Sequence, residues 1–212
     1  MGAPRSEFDR TLEAIEAKVI ELFGMLAEDV PAATRVLLGD NDLAGVLAER
    51  EQVINALCQE VEELACRQVL LQAPVASDLR FLLSVLRITP ELERSHDLVM
   101  QIATGGGRMR AGGLSPHGRE LAERMGHLAA AMWGQAADAW YARDRSAAAV
   151  LGEGEREMDD LHASLTAELA SGGMTAPVTM EMTLVARCHE RLGAHALNIA
   201  RRVAYLAGAA AG

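Results

Sequence analysis

The sequence predicts an all-α protein, and three observations predict it. Half of the 212 residues are hydrophobic but only 3% are aromatic, and the bulk is Ala, Leu, Glu and Arg, which are strong helix formers. Apolar residues recur at alternating spacings of three and four over long stretches, the period of one helical face. Segments of the second half also echo segments of the first, so the helices come in two related sets.

The charge balance narrows the function classes. Twenty Lys and Arg stand against thirty Asp and Glu, for a formal net charge of -10. Nucleic-acid binding needs clustered positive charge, and adhesion to anionic lipid needs the same, so neither is expected. The N-terminal stretch is acidic and has no uninterrupted apolar core, unlike a signal peptide. No run approaches the roughly 18 apolar residues of a membrane span. The expected location is the cytoplasm. Cys58, Cys66 and Cys188 are odd in number and lie inside helical patterns, which predicts free, mostly buried thiols in a reducing compartment.

The first helix is predicted over residues 6–38. Phe8, Leu12, Ile15, Val19, Leu22 and Leu26 form its stripe. Ser6 is a candidate cap, and Pro31 should kink the helix because it cannot bond to the previous turn. Gly39-Asp40-Asn41-Asp42 makes a polar turn. The second helix is predicted from Leu43 to Leu71, through Leu47, Ile54, Leu57, Val61 and Leu64, with Arg50 and Gln68 interrupting the stripe. Ala73-Pro74 ends it, since a residue before proline avoids the helical region.

The third helix, residues 74–103, poses the chemical question. Leu79, Leu83 and Leu86 start a stripe that continues through Pro90 to Glu93, Asp97 and Met100. If that stripe faces the interior, two carboxylates one turn apart enter the core. Buried carboxylates must be paired, protonated or bound to a cation. Residues 104–116 are glycine-rich and read as a linker. They lack a preceding strand and a Gly-Lys-Ser/Thr ending, so they are not a phosphate-cradling loop. Three more helices follow, over 117–142, 144–171 and 175–207, and the terminal GAAAG is expected to fray.

The repeat is explicit in two alignments. VLAEREQVINAL from Val46 matches VLGEGEREMDDL from Val150, and ERSHDLVMQIA from Glu93 matches ERLGAHALNIA from Glu190. The expected architecture is two tandem three-helix bundles, six helices in all, with a first unit over 1–106 and a second over 107–212.

Leu71-Gln72-Ala73-Pro74-Val75-Ala76-Ser77-Asp78-Leu79-Arg80, followed by Glu91-Leu92-Glu93-Arg94-Ser95-His96-Asp97, resembles the signature of the PhoU family. Glu190 to Ala200 is similar to that family's second-repeat signature. The turns are similar to the actinobacterial branch called PhoY. The resemblance covers nearly the whole chain. It implies two three-helix bundles and a non-enzymatic, cytoplasmic negative regulator of phosphate uptake and of the phosphate-starvation response. The partners it implies are a phosphate ABC transporter, through its nucleotide-binding subunit, and a sensor histidine kinase. A homodimer is expected, with membrane association only through those partners.

The resemblance also implies metal. The family pattern includes Glu/Asp-x-x-x-Asp motifs that in some members hold multinuclear clusters. Residues four apart on a helix are surface neighbours, and oxygen donors suit hard cations. The candidate ligands are Glu93, Asp97, Glu155, Asp159, Glu51 and Glu190, for a divalent or trivalent metal such as Fe, Mg, Mn or Zn. Asn55 and Ala194 depart from the motif, so each repeat keeps one complete pair and one weakened pair. His96, His162, His189 and His195 lie nearby, as substitute ligands or polar surface residues. Arg94 and Arg80 are alternative partners for the acids, and Glu155 and Asp159 lie in an acidic run that solvent could satisfy.

Two other functions fit parts of the pattern. Glu93-Arg-Ser-His96 has the spacing of di-iron carboxylate bundles, with Asp159-Asp-Leu-His162 as an analogue. An oxidase of that kind needs both segments facing one four-helix core, whereas the repeat separates them. A generic helical adaptor with no phosphate role has the same periodicity.

Overall fold

The computed structural model describes residues 3–109 and 113–207, and every regular element among them is helical. The helices are α1 (Ala3–Leu37), α2 (Ala44–Gln72), α3 (Ala76–Met109), α4 (Pro116–Ala142), α5 (Ala147–Ala170) and α6 (Ala176–Ala207), with one 3-10 turn at Asn41–Leu43. None among the described residues is long and apolar enough to cross a membrane.

Packing follows the repeat. Within the first trio α1, α2 and α3 all touch, as do α4, α5 and α6 in the second. The trios join through α1 against α4 and α3 against α6. The result is a central ring of α1, α3, α6 and α4, flanked by α2 on one side and α5 on the other. The halves therefore share one continuous hydrophobic core. Its heart is aromatic: Phe23 of α1 lies 6.2 Å from both Trp133 and Trp140 of α4. The α1–α4 crossing is close enough that a Cβ on Gly126 would overlap the Thr34 side chain. Only glycine fits there, for lack of space rather than for backbone conformation.

Several local expectations are corrected. Ser6 lies inside α1 rather than at its cap. α2 ends where Ala73-Pro74 predicts its end: Gln72 is its last residue, and the C-cap Ala73 is left-handed with φ 41°. Leu71 does not join the stripe and is 65% exposed, whereas Gln68, read as an interruption, is buried. α3 runs on to Met109, so the first six residues of the glycine-rich stretch are helix and the connection is shorter than 104–116. Ser115 caps α4, its Oγ accepting from the Gly118 N–H at 2.9 Å. The fraying expected at the GAAAG end falls outside the described residues.

The largest correction concerns α3. Its buried face is Leu82, Val85, Ile88, Leu92, Ser95, Val99 and Ile102. Leu83 is 40% exposed, and Glu93 and Asp97 are exposed. Successive residues turn by roughly 100° about the axis. A stripe begun one or two residues off therefore looks equally apolar for two turns, then runs onto solvent. The carboxylates do not enter the core, which removes the reason given for a bound cation there.

Candidate functional site

The buried polar groups are not the predicted acids. They lie where helices meet. In the first repeat α1, α2 and α3 bring together Asp29, Arg50 and His96. Arg50 Nη1 donates to Asp29 Oδ1 at 2.8 Å and to the exposed Glu28 at 2.9 Å. Asp29 and His96 are buried, with Asp29 Oδ2 3.6 Å from His96 Nδ1. Burial pushes the Asp29 carboxyl up to about 6 although Arg50 opposes the shift. Burial likewise pulls the His96 imidazole below its usual value, against the pull of Asp97. A buried neutral imidazole beside a carboxyl of raised affinity avoids an isolated interior charge.

Two further histidines tie the repeats together. His189 of α6 is fully buried against α1. Its Nδ1 lies 3.1 Å from the Val185 carbonyl, which can only accept, so Nδ1 carries the proton. Nε2 then accepts from the Thr34 hydroxyl at 3.2 Å. Burial holds this imidazole down at about 4. His195 of α6 meets α3. Ser95 Oγ donates to the Glu91 carbonyl at 2.6 Å and lies 2.8 Å from His195 Nδ1, while His195 Nε2 is 3.5 Å from Glu91 Oε2. Burial lowers this histidine, and Glu91 pulls the other way. These three histidines are core residues, not surface ones.

The six candidate metal ligands are spread over two outer faces. Glu51 of α2 is half-buried, with Asn55 exposed, and Glu93 and Asp97 are exposed on α3. Glu155 of α5 is half-buried and Asp159 exposed. Glu190 of α6 is held by Arg187 through both oxygens, at 2.7 and 2.9 Å, and stands 3.7 Å from His162 Nε2. In the first repeat Glu93 acts electrostatically on Cys58, the position matching His162. Arg94 turns to Glu91 rather than to Glu93. Among the described residues no three His, Cys, Asp or Glu side chains gather as a metal centre would require. The donor set as placed does not fit a multinuclear cluster. The di-iron geometry also fails, since Glu93 faces solvent while His96, three residues on, is buried.

The sequence reading missed Asp29 and Glu91. A trace of the first was present, because Arg50 appeared on an apolar stripe where a cation has no place without a partner.

The chain matches the PhoU domain model twice, over residues 19–105 and 122–203. A Zymomonas mobilis protein described as "Phosphate-specific transport system accessory protein PhoU homolog" is 30% identical, over 98% of this chain and 89% of its own length. A Mycobacterium tuberculosis protein described as PhoU homolog 2 is also 30% identical, over 96% and 97%. The crystal structure of PhoU from Pseudomonas aeruginosa superposes with a TM-score of 0.86 at 26% identity, over 94% of this chain and 98% of that one. The Streptococcus pneumoniae PhoU structure has the same fold, with a TM-score of 0.83 at 24% identity over 94% and 96%. Six helices in two matched trios, the same signature in each and relatives of this kind along almost the whole length place the chain in the PhoU family.

Proposed function

We propose that this protein is an accessory regulator of a phosphate ABC transporter, and that it restrains uptake and keeps the phosphate-starvation response silent when phosphate is plentiful. The observation that supports this reading is the match to PhoU domains in both halves, together with relatives described as accessory proteins of phosphate-specific transport. The proposed action is non-catalytic and cytoplasmic. One surface contacts the transporter's nucleotide-binding subunit and another the sensor region of a histidine kinase. The complex reports transporter state as a shift in population between two kinase conformations.

Deleting the gene tests the reading. Phosphate-starvation genes are expected to switch on in phosphate-rich medium. Unchanged expression there rejects it in favour of a generic helical adaptor. A pull-down with both partners at high and low phosphate tests the mechanism separately, and no binding in either condition rules it out.

A further inference from the structure

α3 and α6 run antiparallel, as Gln101 opposite Cys188 and Ser95 opposite His195 require. That crossing brings Arg87 of α3 across from Arg201 and Arg202 of α6. Between them is an open groove of about 500 Å3. Ile88 and Ile199 form its buried apolar floor, and the exposed Tyr205 also lines it.

The three arginines lack carboxylate partners among the described residues. Arg201 Nη1 donates only to Asn198 Oδ1, at 3.3 Å. Arg202 lies over the Tyr205 ring, 5.1 Å from its centroid. Among the described residues the one acid lining the groove is Glu91, already shared between Arg94 and His195. In a chain of net charge -10, where acids outnumber bases, leaving three converging cations unneutralised costs mutual repulsion. An apolar floor strengthens their field further.

The repeat supplies a control within the molecule. The matched signatures pair Arg87 with Leu184, Arg201 with Thr104 and Arg202 with Gly105. At that second crossing Glu91 is replaced by Cys188 and Asn198 by Gln101, which hydrogen-bond at 3.5 Å. Packing α3 against α6 does not need the arginines, because the matching crossing of the same two helices packs without them.

We propose that this groove binds a small oligophosphate anion, a run of two or three phosphoryl groups bridging Arg87 to Arg201 and Arg202. A guanidinium presents a planar fork that pairs two phosphate oxygens at once. Three forks on two facing helices offer more donors than a single carboxylate can accept. Tyr205 and the isoleucines leave an apolar wall for any organic group the phosphates carry. The proposal is independent of the regulatory reading, because it concerns binding by the isolated protein.

Calorimetric titration of the full chain with sodium tripolyphosphate, and separately with inorganic phosphate, tests it at low ionic strength. Saturable one-to-one binding of tripolyphosphate is expected, at least about tenfold tighter than inorganic phosphate, since each charge-assisted contact contributes roughly that factor. Arg87→Ala with Arg202→Ala should weaken it at least about tenfold, and Glu91→Gln should tighten it by removing a repelling charge. Arg67→Ala on the exposed face of α2 serves as the control and should change nothing. No tripolyphosphate binding overturns the proposal. So does binding that the double arginine variant leaves intact while the thermal melt shows a folded protein. Equal affinity for inorganic phosphate overturns the oligophosphate assignment. Should the double variant not fold, unchanged or weaker binding in Glu91→Gln overturns the proposal alone.

Discussion

Where the three helices of the first repeat meet, the structure places Asp29, Arg50 and His96; where those of the second meet, it places Met132, Gly154 and Gly193. The signatures pair Arg50 with Gly154 and His96 with Gly193. In the second repeat the Met132 side chain fills the space, and a Cβ on either glycine would sit 3.1–3.2 Å from it. One junction is held by charge and hydrogen bonds, the other by volume. In both trios every helix packs against the other two, so the fold tolerates either solution. What differs is how each responds to perturbation: an ion pair fails when one partner is removed, whereas a packed methionine fails when a cavity is left.

The largest effect is expected from Arg50→Met. It strands the Asp29 carboxylate in the core, and breaking such a pair costs about 3–5 kcal/mol. Urea denaturation at pH 7 measures the loss. Part of it should return at pH 5, because burial already holds Asp29 at about 6 and losing the guanidinium raises it further. An equal loss at both pH values would show that Asp29 is not the cause.

Met132→Ala, the counterpart, should cost a similar amount, near the upper end of the roughly 2–5 kcal/mol for truncating a buried methionine. Two flanking glycines carry no side chains that could collapse into the space. The loss should be the same at pH 5 and pH 7, since nothing at that junction titrates. A pH-dependent loss would break the contrast between the repeats.

The seam between the repeats has its own pH response. His189 takes up a proton in the unfolded chain at its ordinary 6.5 but in the folded one only at about 4. Its contribution is therefore complete above pH 6.5 and is lost as pH falls towards 4, on the order of 3 kcal/mol in all. His96 is also lowered and works in the same direction. Asp29 works the other way, because its raised affinity favours the folded state on acidification through about 6. The two groups at the first junction thus oppose each other, and Asp29 offsets part of the response that the buried histidines give. His189→Gln should flatten the fall in stability between pH 6.5 and 4. Chemical denaturation across that range would sharpen or refute the assignment.

Most of the fold was legible because helix formers, breakers and the duplicated signature all point the same way. The rotation of α3 was not. Leu79, Leu83 and Leu86 make as good a stripe as Phe81, Val85 and Ile88 over two turns, and both start apolar. What distinguishes them is persistence: the second continues through Leu92, Val99 and Ile102, while the first meets Glu93 and Asp97. A helix touching α1, α2 and α6 at once has a wide buried arc, and a single stripe describes it poorly. The interior polar groups were legible only as anomalies, such as Arg50 on an apolar face. The arginine groove left no local trace, because its members lie more than a hundred residues apart and meet only through the antiparallel crossing.

The smallest effects separate Glu93 from Glu190, the matched acids of the two signatures. Glu93 is exposed and bears no ion pair among the described residues, so Glu93→Gln should shift stability by no more than about 0.5 kcal/mol. Glu190 is half-buried and gripped by Arg187 through two hydrogen bonds, beside His162. Glu190→Gln should cost more, though within the roughly 0.2–1 kcal/mol of a solvent-screened pair. Raising the salt concentration should shrink the Glu190 effect and leave the Glu93 one alone, since only the former is an attraction that counterions screen. Equal losses at the two sites would mean that Glu93 has a partner on the α2–α3 face, and Cys58, its neighbour there, would be the first residue to substitute in search of it.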